Sequence, residues 1–370
     1  MDRAGQTKKD GRLYGTLDGM RGIAAIAVVI VHAPALFGPL TAASAGLAVD
    51  LFFVMSGFII SHAYDRRLST SMSVHNFIVV RTIRLYPLYF MGLMLGALGA
   101  SATIWLGDSQ EWTLGLIAAA IIPALLMLPS LGIGRQEPAL FPLNPPSWSL
   151  FFELVVNVAY AALFPRLTIK MIAIVVALAG VGLVALAVSH GNLHAGSHWH
   201  NFAGGFARVV YSFGAGVLIC RSKVKLLKTP PLLILTACAA MFAISPGRYT
   251  GAYELTCVLI LLPGLVALGA ANEPSEFLRP KMAYLGLISY GVYSLHFPLA
   301  LAAKGMLTKL HGEDISSLTP WAGIIFLFGI TIACGAVDKL YDTKVRAFLT
   351  SRFALAIARK QVVRVNTTKL

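Results

Sequence analysis

The chain has 370 residues, of which 57% are hydrophobic and only 12% charged, with a mean hydropathy of +0.75. A soluble domain carries roughly a quarter charged residues, so a water-soluble globular enzyme is excluded. The formal charge of +14 would suit nucleic acid. In a membrane protein, however, basic excess first reports the cytoplasmic loops, and no nucleic-acid partner is expected.

Eleven apolar segments follow one another, near 17–37, 46–64, 77–100, 113–131, 147–165, 168–189, 204–220, 231–246, 251–271, 283–307 and 319–338. Most approach the roughly 20 apolar residues that carry a helix across a bilayer. They are continuous rather than alternating, which favours helices over barrel strands. The first follows Lys8, Lys9 and Arg12 but shows no small-residue cleavage site, so it reads as a retained helix. The segment 113–131 is broken by Pro123 and Pro129 and followed by Pro138, Pro142, Pro145 and Pro146. If it does not cross, 25 of the 30 Lys and Arg fall on one face of the membrane. If it crosses, they divide almost evenly, so the non-crossing arrangement is expected.

The expected fold is therefore all-α: a polytopic transmembrane bundle of about ten spans plus one short non-crossing segment at 113–131. Residues 1–16 form a cytoplasmic N-terminal segment, 17–338 the transmembrane domain and 339–370 a basic cytoplasmic tail. In that tail Phe353 and Leu355 are candidate contacts with anionic membrane lipid. Cys220, Cys238, Cys257 and Cys334 lie in or beside apolar segments without metal spacing and read as small hydrophobes; no metal is expected on them.

Ionisable groups at membrane depth are costly and mark function by default. Arg21 and His32 are eleven residues apart on the first span and share one face, roughly 16 Å apart along the axis. Asp50 lies at a similar outer depth on the second span, where a carboxylate would orient the His32 imidazole. Ser149 and Glu153, just after Trp148, share a face of the fifth segment, and His296 lies in the tenth. Toward the other face, Arg81 and Arg84 form an i,i+3 pair that, with Arg21, makes a guanidinium cluster suited to phosphate. Such layering fits a phosphorylated reagent made in the cytoplasm and used across the membrane.

Several strings are similar to the acyltransferase-3 family. Leu17-Asp18-Gly19-Met20-Arg21-Gly22 followed by His32 resembles its opening, and Val49-Asp50-Leu51-Phe52-Phe53 through Phe58 its second helix. Arg81-Thr82-Ile83-Arg84 resembles its RxxR motif, Trp148-Ser149-Leu150 with Glu153 its tryptophan-serine-leucine segment, and Ser289-Tyr290 through Tyr293, His296 and Pro298 its late motif. The chain departs from many members in carrying Leu154 where a second acidic residue follows Glu153, and it shows no hydrolase-like domain after the spans. The resemblance covers roughly 13–340. It implies a multi-pass protein of the bacterial inner membrane that moves an acyl group, often acetyl from acetyl-CoA, to a carbohydrate hydroxyl. It also implies functional roles for Arg21, His32, Arg81 and Arg84.

The expected mechanism holds acyl-CoA as donor substrate, without a tightly bound cofactor. Arg81 and Arg84, assisted by Arg21, grip its phosphates. His32, oriented by Asp50, is the general base, with Glu153 in the catalytic set. Trp148, Ser149 or His296 are candidate donors to the developing oxyanion. An acyl-enzyme relay through His32 is equally compatible. The rival class is a transporter or flippase using His, Asp and Glu as a proton path; no paired repeat of broken helices supports it. The histidine-rich loop 190–203 suits sugar contacts, a membrane interface or metal.

Overall fold

The computed structural model describes residues 14–107, 111–132, 138–222 and 227–354. Within them nine helices are long and apolar enough to cross a bilayer: α1 Gly15–His32, α2 Leu47–Thr70, α3 Val74–Trp105, α5 Pro145–Arg166, α6 Ile169–His190, α7 Trp199–Ser222, α9 Gly247–Ala271, α10 Arg279–His311 and α11 Trp321–Ala354. Two shorter apolar helices are α4 Leu114–Leu125 and α8 Pro231–Ala243. The protein is an all-α polytopic bundle; a single isolated bridge, Ala139 with His198, is the only β pairing among the described residues.

Local chemistry sets the helix boundaries. Ser73, Thr113 and Thr168 each accept a backbone N–H at the start of α3, α4 and α6. Gly191 ends α6 in the left-handed region, φ +68°, which costs glycine nothing.

At 13 residues α8 is roughly 20 Å long, less than a hydrocarbon core. It nevertheless traverses the bundle. Just before it, Thr229 donates its N–H to Asn272 at the end of α9. Just after it, the Ile244 carbonyl accepts from Ser44, in the turn between α1 and α2 on the opposite face. The described chain therefore makes ten traverses. By contrast, α4 dips in and returns: its last carbonyls, Ala124 and Leu125, accept from Tyr89 and Tyr86 partway along α3. The chain then comes back to the loop between α6 and α7, where Ser130 O accepts from the Trp199 indole at 2.8 Å.

Two helix prolines are offset by side chains. Pro298 in α10 leaves the Ser294 carbonyl without its helical N–H, and the Asn144 amide donates to it at 2.9 Å. Pro263 in α9 similarly frees the Leu259 carbonyl beside a π-helical turn, and Tyr211 donates to it at 2.8 Å.

Helices α2 and α7 cross closely because both are glycine at the contact. A Cβ on Gly57 would lie 2.0 Å from the Phe213 carbonyl oxygen, and one on Gly216 2.0 Å from that of Val54.

The expected start of a tail at 339 falls inside α11, which runs unbroken to Ala354 through a π turn at Asp338–Asp342. The reason is ionic: Arg346 reaches Asp342 at 2.5 Å and Asp338 at 3.4 Å. Tyr341 also donates to the Pro87 carbonyl, and Phe353 packs its ring near His75 of α3. Leu355, the rest of the expected tail and residues 1–13, including Lys8, Lys9 and Arg12, lie outside the described residues.

Candidate functional site

The bundle encloses a cavity of ≈ 160 Å³ between α1, α2, α3, α5 and α10. One end is basic, lined by Arg21, Arg81 and Arg84, with Ser56 and Glu153 above them. The other end is lined by Phe52, Ser149 and Tyr293. Five of the nine site residues expected from the sequence, Arg21, Arg81, Arg84, Ser149 and Glu153, thus line one space although they come from three helices.

At the basic end Glu153 Oε1 accepts from Arg81 Nη2 at 2.8 Å and from Ser56 Oγ at 2.8 Å. The carboxylate therefore fixes Arg81 rather than presenting a free base. Arg21 lies 4.0 Å from Asp18. Arg84 makes no hydrogen bond or ion pair among the described residues, with Arg21, Arg81 and Arg346 as neighbouring like charges and Asp342 and Asp18 opposing them. A guanidinium in such company, with its donors free, is prepared for an anion.

At the far end the Tyr293 hydroxyl donates to the Pro146 carbonyl at 2.8 Å. The Ser149 hydroxyl, 2.6 Å away, accordingly donates to the Tyr293 oxygen. Pro146 stands where it does because Asn144, two residues earlier, is tied to the α10 carbonyl freed by Pro298.

One helical turn beyond Tyr293 lies His296, wholly buried. Its Nδ1 faces the carbonyls of Tyr293 at 2.8 Å and Val292 at 3.1 Å. Carbonyls only accept, so Nδ1 carries the proton and Nε2 is an acceptor. His32 Nδ1 lies 3.1 Å from that Nε2 and 3.0 Å from the Val28 carbonyl, and so donates to both. This leaves His32 Nε2 with a free lone pair and no hydrogen-bond partner among the described residues. His32 also meets Phe297 edge-on at 5.9 Å, and Phe297 lines a wide apolar groove of ≈ 930 Å³ between α3 and α10.

Asp50, His296 and Trp148 lie otherwise than expected. Asp50 does not orient His32. It is wholly buried and held by Arg208, Nη2 at 2.6 Å and Nε at 3.3 Å, with Ser212 at 3.4 Å. Its partner comes from α7 because the glycine crossing of α2 and α7 brings that guanidinium closer than any imidazole. Arg208 is buried and donates further to the Gly46 and Ala195 carbonyls. His296 takes the orienting place assigned to Asp50, instead of serving as an oxyanion donor. Trp148 also faces elsewhere: Arg208 stacks over its ring at 5.2 Å, and Phe152 meets it edge-on. In the histidine-rich loop, His194 is tied to the buried Glu254 at 2.8 Å, and Trp199 pins the returning segment after α4.

Residues 14–337 match the family model of the acyltransferase domain, type 3. The chain belongs to the acyltransferase-3 family. This acyltransferase is also 41% identical over 179 residues to "Protein 2 in picA locus" of Rhizobium radiobacter, an overlap covering 46% of this chain and 93% of that relative. No solved structure matches it. The acyltransferase is thus a multi-pass membrane enzyme. Sequence reasoning had missed Tyr293, Ser56 and Arg208 as members of the site or its frame. Tyr293 and Ser56 stand within the strings quoted above, but their partners are 144 and 97 residues distant.

Proposed function

We propose that the enzyme transfers an acyl group, acetyl on this reading, from cytoplasmic acyl-CoA to a hydroxyl of an extracytoplasmic carbohydrate. The basic face of the bundle is taken as cytoplasmic, with both termini there, in the plasma membrane of a bacterium. The observation that carries the reading is the single cavity leading from Arg21, Arg81 and Arg84 to Tyr293, one helical turn from the His32–His296 pair.

In this mechanism the phosphates of the donor are held at Arg84 and Arg21, and Arg81 is set in place by Glu153. The thioester is presented toward Tyr293. His32 Nε2 takes the proton of the acceptor hydroxyl as its oxygen bonds to the acyl carbon. The carbon–sulfur bond breaks, and the proton taken up by His32 passes to the departing thiolate, giving the CoA thiol and restoring neutral His32. His296 holds the His32 ring through Nδ1 as positive charge develops, the part a carboxylate plays in a hydrolase triad.

The test uses purified enzyme in proteoliposomes with acetyl-CoA and surface polysaccharide, together with whole-cell O-acetyl analysis. His32→Ala is expected to lower transfer by about 10²–10⁴-fold, the worth of a positioned base, at unchanged protein level. Arg84→Ala is expected to weaken acetyl-CoA binding about tenfold or more, the loss of one charge-assisted contact. Wild-type transfer by His32→Ala, or unaltered affinity in Arg84→Ala, would remove that residue from the mechanism.

A further inference from the structure

We infer that Tyr293 is the barrier between the donor cavity and the histidine pair, and that it decides whether water or the acceptor meets the thioester. This rests on the donor reading above.

Tyr293 has three connections that define the role. Its ring lines the cavity beside Phe52, which it meets edge-on at 5.5 Å, and it is buried. Its hydroxyl is latched by Ser149 at 2.6 Å and by the Pro146 carbonyl at 2.8 Å. On its far side the His296 ring is 6.0 Å away, and His32 beyond it is exposed. One phenol ring therefore stands between the arginine-lined space and the groups that face the acceptor.

The latch is built to hold a position. Its anchor, Pro146, belongs to the turn fixed by Asn144 on α10, the helix that carries Tyr293 itself. Yet each hydroxyl proton of the pair is spent on a neutral acceptor. The Tyr293 ring can thus leave at the loss of two neutral hydrogen bonds, whereas an ion pair would resist. A closed ring keeps water from a bound thioester; a displaced ring lets the acyl carbon approach the hydroxyl activated at His32. Excluding water from a reactive intermediate is a recognised task of closing side chains.

The experiment measures acetyl-CoA hydrolysis without acceptor, acetyl-CoA binding, and transfer with acceptor, in wild type, Tyr293→Ala, Tyr293→Phe and Phe52→Ala. Tyr293→Ala is expected to raise acceptor-free hydrolysis by about tenfold and to lower the fraction of acetyl groups delivered to glycan, as loss of water exclusion demands. Binding should be retained, because the arginines that hold the phosphates are untouched. Tyr293→Phe, which keeps the ring and loses the latch, should fall between. Phe52→Ala removes the other half of the closure on a different helix and should leak as well, so one poorly folding variant does not decide the matter. Intact binding with wild-type hydrolysis in both alanine variants would overturn the barrier alone. Absence of acetyl-CoA binding by the wild type would overturn the donor reading beneath it.

Discussion

At the residue scale, burial divides the charged side chains into two kinds. Asp50 and Arg208 satisfy each other in the interior, with exposures of 0% and 4%. A buried pair broken on one side leaves an uncompensated charge. Asp50→Asn is therefore expected to destabilise the detergent-solubilised protein by about 3–5 kcal/mol, read as a lower thermal midpoint. The double change Asp50→Leu with Arg208→Leu should recover much of that loss. Full stability with acylation abolished in Asp50→Asn would return Asp50 to the chemistry. Arg84 is the other kind. Its donors have no partner among the described residues, and the charged groups acting on it are mostly of like sign. Such a group is poor framework and good anion site.

At the element scale, the prolines of the spans mark where the fold and the site meet. Pro298 would cost α10 a backbone hydrogen bond, and Asn144 takes up the freed Ser294 carbonyl. That repair places the turn at Pro145–Ser147, whose Pro146 carbonyl in turn holds Tyr293. Asn144→Leu should therefore cost about 1–3 kcal/mol, the price of an unsatisfied buried carbonyl. It should also increase acceptor-free hydrolysis of acetyl-CoA, because the latch loses its anchor. A melting temperature equal to wild type would show that the carbonyl finds another donor. The re-entrant α4 belongs to the same scale. Tyr86 and Tyr89 hold its last carbonyls inside the bundle, where no water serves them.

At the scale of the whole molecule, ten traverses bring residues 14 and 354 to one face, the face toward which most of the described Lys and Arg lie. Fusion of a reporter to either terminus is expected to show both inside the cell. Single cysteines at Leu114 and Leu131, flanking α4, should react from the same external side. Labelling of these two positions from opposite sides would make α4 a crossing, reverse every later helix and separate the arginines from the reading given to them.

The all-α polytopic class and the pairing of Arg81 with Arg84 were legible because they depend on local matters: apolar length and residue spacing along the chain. Arg81 and Arg84 are three residues apart, and no packing alters that they share a helix face. The partners of His32 and Asp50 depended on something else. His32 meets His296 across 264 positions and Asp50 meets Arg208 across 158. Depth along a helix can be counted from residue numbers, but rotation about its axis and the choice of neighbouring helix cannot. Those were decided by close crossings such as Gly57 against the Phe213 backbone, where absent side chains allow one helix pair to approach and thereby choose which charges meet.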